Sequence, residues 1–161
     1  MVFNPFHFRN STPRQDKLRA LALFVDLAPS ELAIVDGLLH ERGYLKDEVI
    51  FDAGEEGQAI YIVLAGEVLI CRQGEPDSGR LATLGAGTFF GDLALLDESP
   101  RTAQARAADN CRLVVFFRAD FLGLMETHAV IASKISLQLA RNMGRRLRDA
   151  MLGAPATHQH L

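Results

Sequence analysis

From about residue 43 to 117 the chain alternates short apolar runs with Gly, Asp and Pro breaks. The runs are EVIF, AIYIVLAGEVLICR, RLATL, TFF and RLVVFF. Breaks about every eight to twelve residues predict short strands in an all-β sandwich or barrel, a jelly roll (double-stranded β-helix). The turn-rich stretch Gly74 to Gly79 is expected to join two of these strands as a hairpin. Helical spacing of apolar residues flanks the β region on both sides. Two short helices precede it, and the second, PSELAIVDGLL, is expected to start on Ser30 as its N-cap. After Phe117 come RADFLGLMETH and the longer AVIASKISLQLARNMGRRLRDAML, both read as helices. The fold class is therefore mainly β with flanking helices, a jelly roll with N-terminal helices and a long C-terminal helix.

In that long helix Ile131, Ile135, Leu139, Met143, Leu147 and Met151 recur every fourth residue. Each such step drifts by about 40°, so the stripe rotates by roughly 200° along the helix. One flat surface cannot bury all of it. The first half is expected to pack on the β region and the second half to meet a partner or close over a site. A helix curling over its own barrel is the alternative. The boundaries drawn are an extended arm at 1–13, one domain at 14–152 with its C-terminal helices from about 118, and a disordered tail at 153–161.

Composition changes this picture little. Of 161 residues, 48% are apolar and 23% charged, which excludes general disorder. The net charge of −3 argues against a mainly electrostatic nucleic-acid binder. Basic residues nonetheless cluster twice, at 9–19 (Arg9, Arg14, Lys17 and Arg19 against Asp16) and at 141–148 (Arg141, Arg145, Arg146 and Arg148 with no acid). Cys71 and Cys111 have no metal or CxxC spacing and read as reduced cysteines on buried strands, as in a cytoplasmic protein. LALFV is too short for a signal peptide, and no run approaches the ~20 apolar residues of a membrane span.

Chemistry concentrates in FFGDLALLDESPRTAQARA, residues 89–107. A strand ending at Phe90, a glycine and a one-turn helix aim backbone N–H groups outward, where an anion is favoured. Gly91 admits a close approach of ligand to backbone. Arg101, expected on the next strand, can fork onto phosphate oxygens, and Thr102 adds a hydroxyl. Asp92 can accept from a sugar hydroxyl. Together these residues would hold a phosphorylated ribose in a barrel mouth. The other reading of the spacing is that Arg101 pairs with Asp97 or Glu98 beside a tight turn.

The stretch Phe90-Gly91-Asp92-Leu93-Ala94-Leu95, followed by Pro100-Arg101-Thr102-Ala103, resembles the phosphate-binding cassette of the cyclic-nucleotide-binding domain family. A second family motif is matched by IFDAGEEGQAIYIVLAG, residues 50–66. The resemblance implies a sensor, a cyclic-nucleotide-binding β-roll whose ligand is cyclic AMP, with cyclic GMP as the alternative and no separate cofactor, signalling through its C-terminal helix; the alternative is the same fold without ligand, acting as a dimerisation or interaction module. It further implies that Gly91, Leu93 and Ala94 present backbone to the cyclic phosphate, that Arg101 neutralises it, and that Thr102 touches phosphate or base. Phe90 and Ala103 complete the implied site. Position 92 departs from the family pattern: the usual glutamate, which bonds the ribose 2′-OH, is an aspartate here. The base-capping place on the long helix falls near Arg145, Arg146 and Leu147, with Arg146 chosen. Basic charge near a helix C-terminus is the competing explanation of these arginines.

The family also includes regulators with a helix-turn-helix domain after the long helix. About ten residues follow Met151 here, so direct DNA binding is not expected; the partner is expected to be a second copy or another protein docking on the C-terminal helix. A metal enzyme of similar fold would need clustered His and Glu on adjacent strands. His7, His40, His128, His158 and His160 all fall outside the strands expected from the sequence. No nucleophile has a paired base, so catalysis is not expected.

Overall fold

The two longest apolar runs become the strands that are covered on both faces. In the computed structural model, which describes residues 12–153, eight strands form two antiparallel sheets. One sheet has the order β1 (His40–Tyr44), β8 (Cys111–Phe117), β3 (Ala59–Ala65), β6 (Phe89–Phe90). The other has the order β2 (Val49–Phe51), β7 (Gln104–Ala107), β4 (Val68–Cys71), β5 (Arg80–Leu84). On β3, Ile60, Ile62 and Leu64 face the helices while Val63 faces the second sheet. On β8, Val114 and Phe116 face the helices while Cys111 and Leu113 face the sheet. Double coverage is why these strands read as continuous apolar runs rather than as a polar–apolar alternation. The consecutive Phe89 and Phe90 divide in the same way, one into each core.

The helices are α1 (Pro13–Arg19), α2 (Pro29–Asp36), α3 (Arg118–Thr127) and α4 (Ala129–Met151). They pack on the first sheet through Leu18, Leu32, Val35, Phe121, Leu124, Ile131, Ile135 and Leu139. Polar contacts tie α4 to the N-terminal helical segment. Lys134 pairs with Glu31 at 2.8 Å, Arg141 lies 3.6 Å from Asp26, and Gln138 donates to Asp26. No helix among the described residues is long and apolar enough to cross a membrane.

Several details differ from expectation. The N-cap of α2 is Ala28, not Ser30: Pro29 takes the first helical position, and the Glu31 carboxylate accepts from the Ala28 N–H at 2.7 Å. Helix α1 begins at Pro13, capped by Thr12, so the helix takes the last residues of the expected arm. The rest of the arm, residues 1–11, and tail residues 154–161 lie outside the described residues. The β region starts at residue 40, because β1 pairs with β8 in the register His40↔Val115. His40 thus stands on a strand, contrary to the sequence reading; its ring packs edge-on against Phe117. Among the described residues no cluster of acids, His and Cys could hold a metal.

The run AIYIVLAGEVLICR is two strands in different sheets. It breaks at Gly66 (φ +82°), where a Cβ would come within 2.3 Å of the Asn110 carbonyl oxygen. The expected hairpin is present: β4 and β5 pair antiparallel around the Gly74–Gly79 turn. Cys71 and Cys111 are free thiols on strands and buried, and burial pushes both above the usual thiol pKa.

Candidate ligand site

After β6 the chain turns at Gly91, whose φ of +74° is left-handed, into a short 3-10 turn, Asp92–Leu95. The glycine is required twice. Its conformation disfavours side chains, and a Cβ would sit 2.5 Å from Nη1 of Arg101.

Arg101 does not lie on the next strand. It precedes β7 in a segment that docks on the loop before β3. Its N–H donates to the Glu55 carbonyl at 2.7 Å, its own carbonyl accepts from Gly54 at 2.8 Å, and Pro100 bridges to Glu56. The turn in residues 50–66 therefore grips the arginine's backbone, which connects the two motifs physically. The guanidinium donates from Nη2 to the Ala59 carbonyl (2.7 Å) and from Nη1 to the Gly91 carbonyl (3.2 Å). It lies 4.2 Å over the Phe51 ring and 5.6 Å from that of Tyr61, within cation–π range. The Arg101 Nε is buried without a protein partner. Burial pulls the guanidinium below its usual pKa, opposed by Tyr61 and Glu55, and an arginine so placed stays protonated. The alternative pairing with Asp97 or Glu98 does not form. Asp97 bonds Ser99, and Glu98 lies 3.4 Å from Arg118.

All nine residues expected at the site, Phe90, Gly91, Asp92, Leu93, Ala94, Arg101, Thr102, Ala103 and Arg146, line one cavity of about 280 Å³. That is at the small end of ligand pockets. Phe51, Ile70 and Leu81 supply an apolar wall that the sequence reading did not include. Phe51 stood in the second motif, but nothing in the spacing said that it would face the first. One implied role is altered. The Ala94 N–H is engaged by the Gly91 carbonyl at 3.2 Å, so it is not free for a ligand in this conformation.

Asp92 is 2% exposed, and α4 is its partner. Arg146 Nη1 lies 3.2 Å from both carboxylate oxygens, and Asn142 Nδ2 donates to Oδ2 at 3.5 Å. Of the three positions considered on the long helix, only Arg146 lines the cavity. Leu147 is 63% exposed, and Arg145 lies with Arg141 and Arg148 along another face of α4. Asn142, one turn before Arg146 on the same face, was missed; the i, i+4 relation was its only signal.

A small roofed cavity with a half-buried arginine beside a glycine turn, set in a β-roll under a long helix, defines the class. The chain belongs to the cyclic nucleotide-binding domain family, whose model matches residues 41–128. It is 37% identical over 136 residues to the cyclic AMP receptor protein of Thermus thermophilus, covering 84% of this chain and 61% of that protein. The crystal structure of the Thermus thermophilus catabolite activator protein superposes with a TM-score of 0.72 at 36% identity, over 82% of this chain and 61% of that one. The N-terminal domain of a transcriptional regulator from Streptomyces coelicolor A3(2) gives a TM-score of 0.73 at 27% identity, over 84% of this chain and 95% of that one. The chain thus spans about three fifths of the Thermus proteins it matches.

Proposed function

We propose that this protein is a small-molecule sensor that binds a cyclic nucleotide, cyclic AMP in preference to cyclic GMP, and signals through α4 rather than by catalysis. The observation that carries the reading is the cavity: Arg101, Asp92 and the Gly91 turn share it with an apolar wall able to take a purine. Arg101, on the cavity wall, supplies the cation for a phosphate. The Thermus relative named for cyclic AMP supports that choice of ligand. Occupancy shifts α4 only if its two positions differ in affinity for the nucleotide, and the Asp92–Arg146 pair supplies such a difference. Thermal melts test the reading. A true ligand at about a hundred times its dissociation constant adds roughly 2.7 kcal/mol. Cyclic AMP should raise the melting temperature more than cyclic GMP; no rise with either would remove the sensor reading.

The partner of α4 is proposed to be a second copy of the chain. Along its outward face Leu137, Ala140, Gly144, Leu147 and Met151 follow a 3-4-3-4 spacing, with Val130 one heptad before Leu137. Of these, Val130, Leu137, Leu147 and Met151 are 49–78% exposed. Leu147 and Met151 thus leave the stripe that Ile131, Ile135 and Leu139 bury and join a second seam of coiled-coil type. Beside this seam Lys134, Arg141 and Arg148 form one flank, and Ser136, Met143 and Ala150 the other. Sedimentation should show a dimer that Leu147→Asp converts to monomer. A wild-type monomer at tens of micromolar would refute the seam.

A further inference from the structure

Asp92 has one methylene fewer than the glutamate the family pattern places there, and its carboxylate therefore sits roughly 1.5 Å closer to its own backbone. Even so, it is almost completely enclosed, at 2% exposure. The enclosing groups come from α4: the Asn142 amide, itself only 3% exposed, and the Arg146 guanidinium. A buried amide is costly unless it meets a polar group; on the buried face of α4, beside Ile131, Ile135 and Leu139, Gln138 meets Asp26 and Asn142 meets Asp92. The contact is long, 3.5 Å, so Asn142 fixes where the carboxylate stands more than it strengthens it.

We infer that Asn142 is a positioning residue matched to the short acid: it occupies the space a glutamate would need and turns the Asp92 carboxylate toward the ribose hydroxyl. The inference rests on the cyclic-nucleotide reading and names the residue that makes an aspartate workable in that site. It follows that restoring glutamate does not improve the pocket by itself. In Asp92→Glu the longer chain must push into the Asn142 amide and the Arg146 guanidinium, an overpacking that well-filled sites resist. Removing the amide side chain makes room for it.

The test is a double-mutant cycle, Asn142→Ala, Asp92→Glu and the double variant. Each is titrated calorimetrically with cyclic AMP and with 2′-deoxy cyclic AMP, which lacks the hydroxyl. Asn142→Ala should weaken cyclic AMP binding by about three- to tenfold, the share of one oriented hydrogen bond, and leave the 2′-deoxy ligand unchanged. Asp92→Glu should also weaken cyclic AMP binding, and the double variant should recover it to near the wild-type value. Equal losses with both ligands would mean that Asn142 merely supports the fold, and the inference would fall. It would fall equally if Asp92→Glu alone bound cyclic AMP more tightly than wild type. Asn142→Ser keeps a polar group in the buried position and replaces the alanine variant should that one not fold. Wild-type protein that binds neither ligand would overturn the sensor reading, and with it this inference, which separates the two failures.

Discussion

Arg101→Ala should abolish the rise in melting temperature expected from cyclic AMP in the wild-type protein. A charge-assisted hydrogen bond contributes about 1.5–3 kcal/mol, so losing the cation that contacts the Gly91 carbonyl should weaken binding by about 10- to 100-fold. The same guanidinium satisfies the Ala59 and Gly91 carbonyls and packs on Phe51, so the ligand-free protein should also lose about 1–3 kcal/mol. The two effects separate cleanly, because one is a difference between melts with and without nucleotide and the other a shift of the baseline. Arg101→Lys keeps a charge but cannot reach two carbonyls and a phosphate from one planar group, and should recover only part of the binding. A nucleotide-dependent rise that persists in Arg101→Ala would mean that the ligand sits elsewhere.

Gly91→Ala should lower affinity by about tenfold or more while costing the fold only about 1 kcal/mol. The fold cost comes from placing a side chain at φ +74°. The affinity cost comes from the new methyl, which would stand 2.5 Å from Nη1 of Arg101 and 3.3 Å from the Ala59 carbonyl oxygen. The flexible guanidinium yields first, so the arginine leaves the Gly91 carbonyl and its aim at the ligand changes. Binding measured by calorimetry should fall far more than the denaturation midpoint. A variant that binds as wild type would show that the cavity tolerates a displaced Arg101, and the account of that contact would fail.

The sheet and the site differ in how they were written into the chain. Strands β3 and β8 announce themselves because both faces are buried, and every position therefore selects an apolar residue. Strand β7 is equally central but hidden. Its inward positions are Ala105 and Ala107, and its other members are Gln104 and Arg106, so composition carries no β signal. Strand β1 is an edge strand of mostly exposed polar residues, visible only through its pairing with β8. At the site, the local motif made Gly91 to Ala103 legible because consecutive residues share one loop. Phe51, Ile70 and Leu81 come from three other strands, and a single sequence holds no record of which strands face each other. Asn142 escaped notice because a polar residue on a long helix is usually solvated, and its burial depends on where Asp92 happens to lie.

The grip of α4 on Asp92 lies well beyond the point where that helix is anchored. Leu139 is the last apolar side chain of α4 in the core, and Arg146 lies seven residues further, roughly 10 Å along the axis at 1.5 Å per residue. Met151 lies about 18 Å from the same anchor. Under the proposed function the helix would act as a lever pivoting near Leu139, loaded at Arg146 and read out at its tip, with a mechanical gain of about 1.7. A displacement at the carboxylate too small to disturb the roll would then arrive enlarged at Leu147 and Met151, which are 63% and 78% exposed.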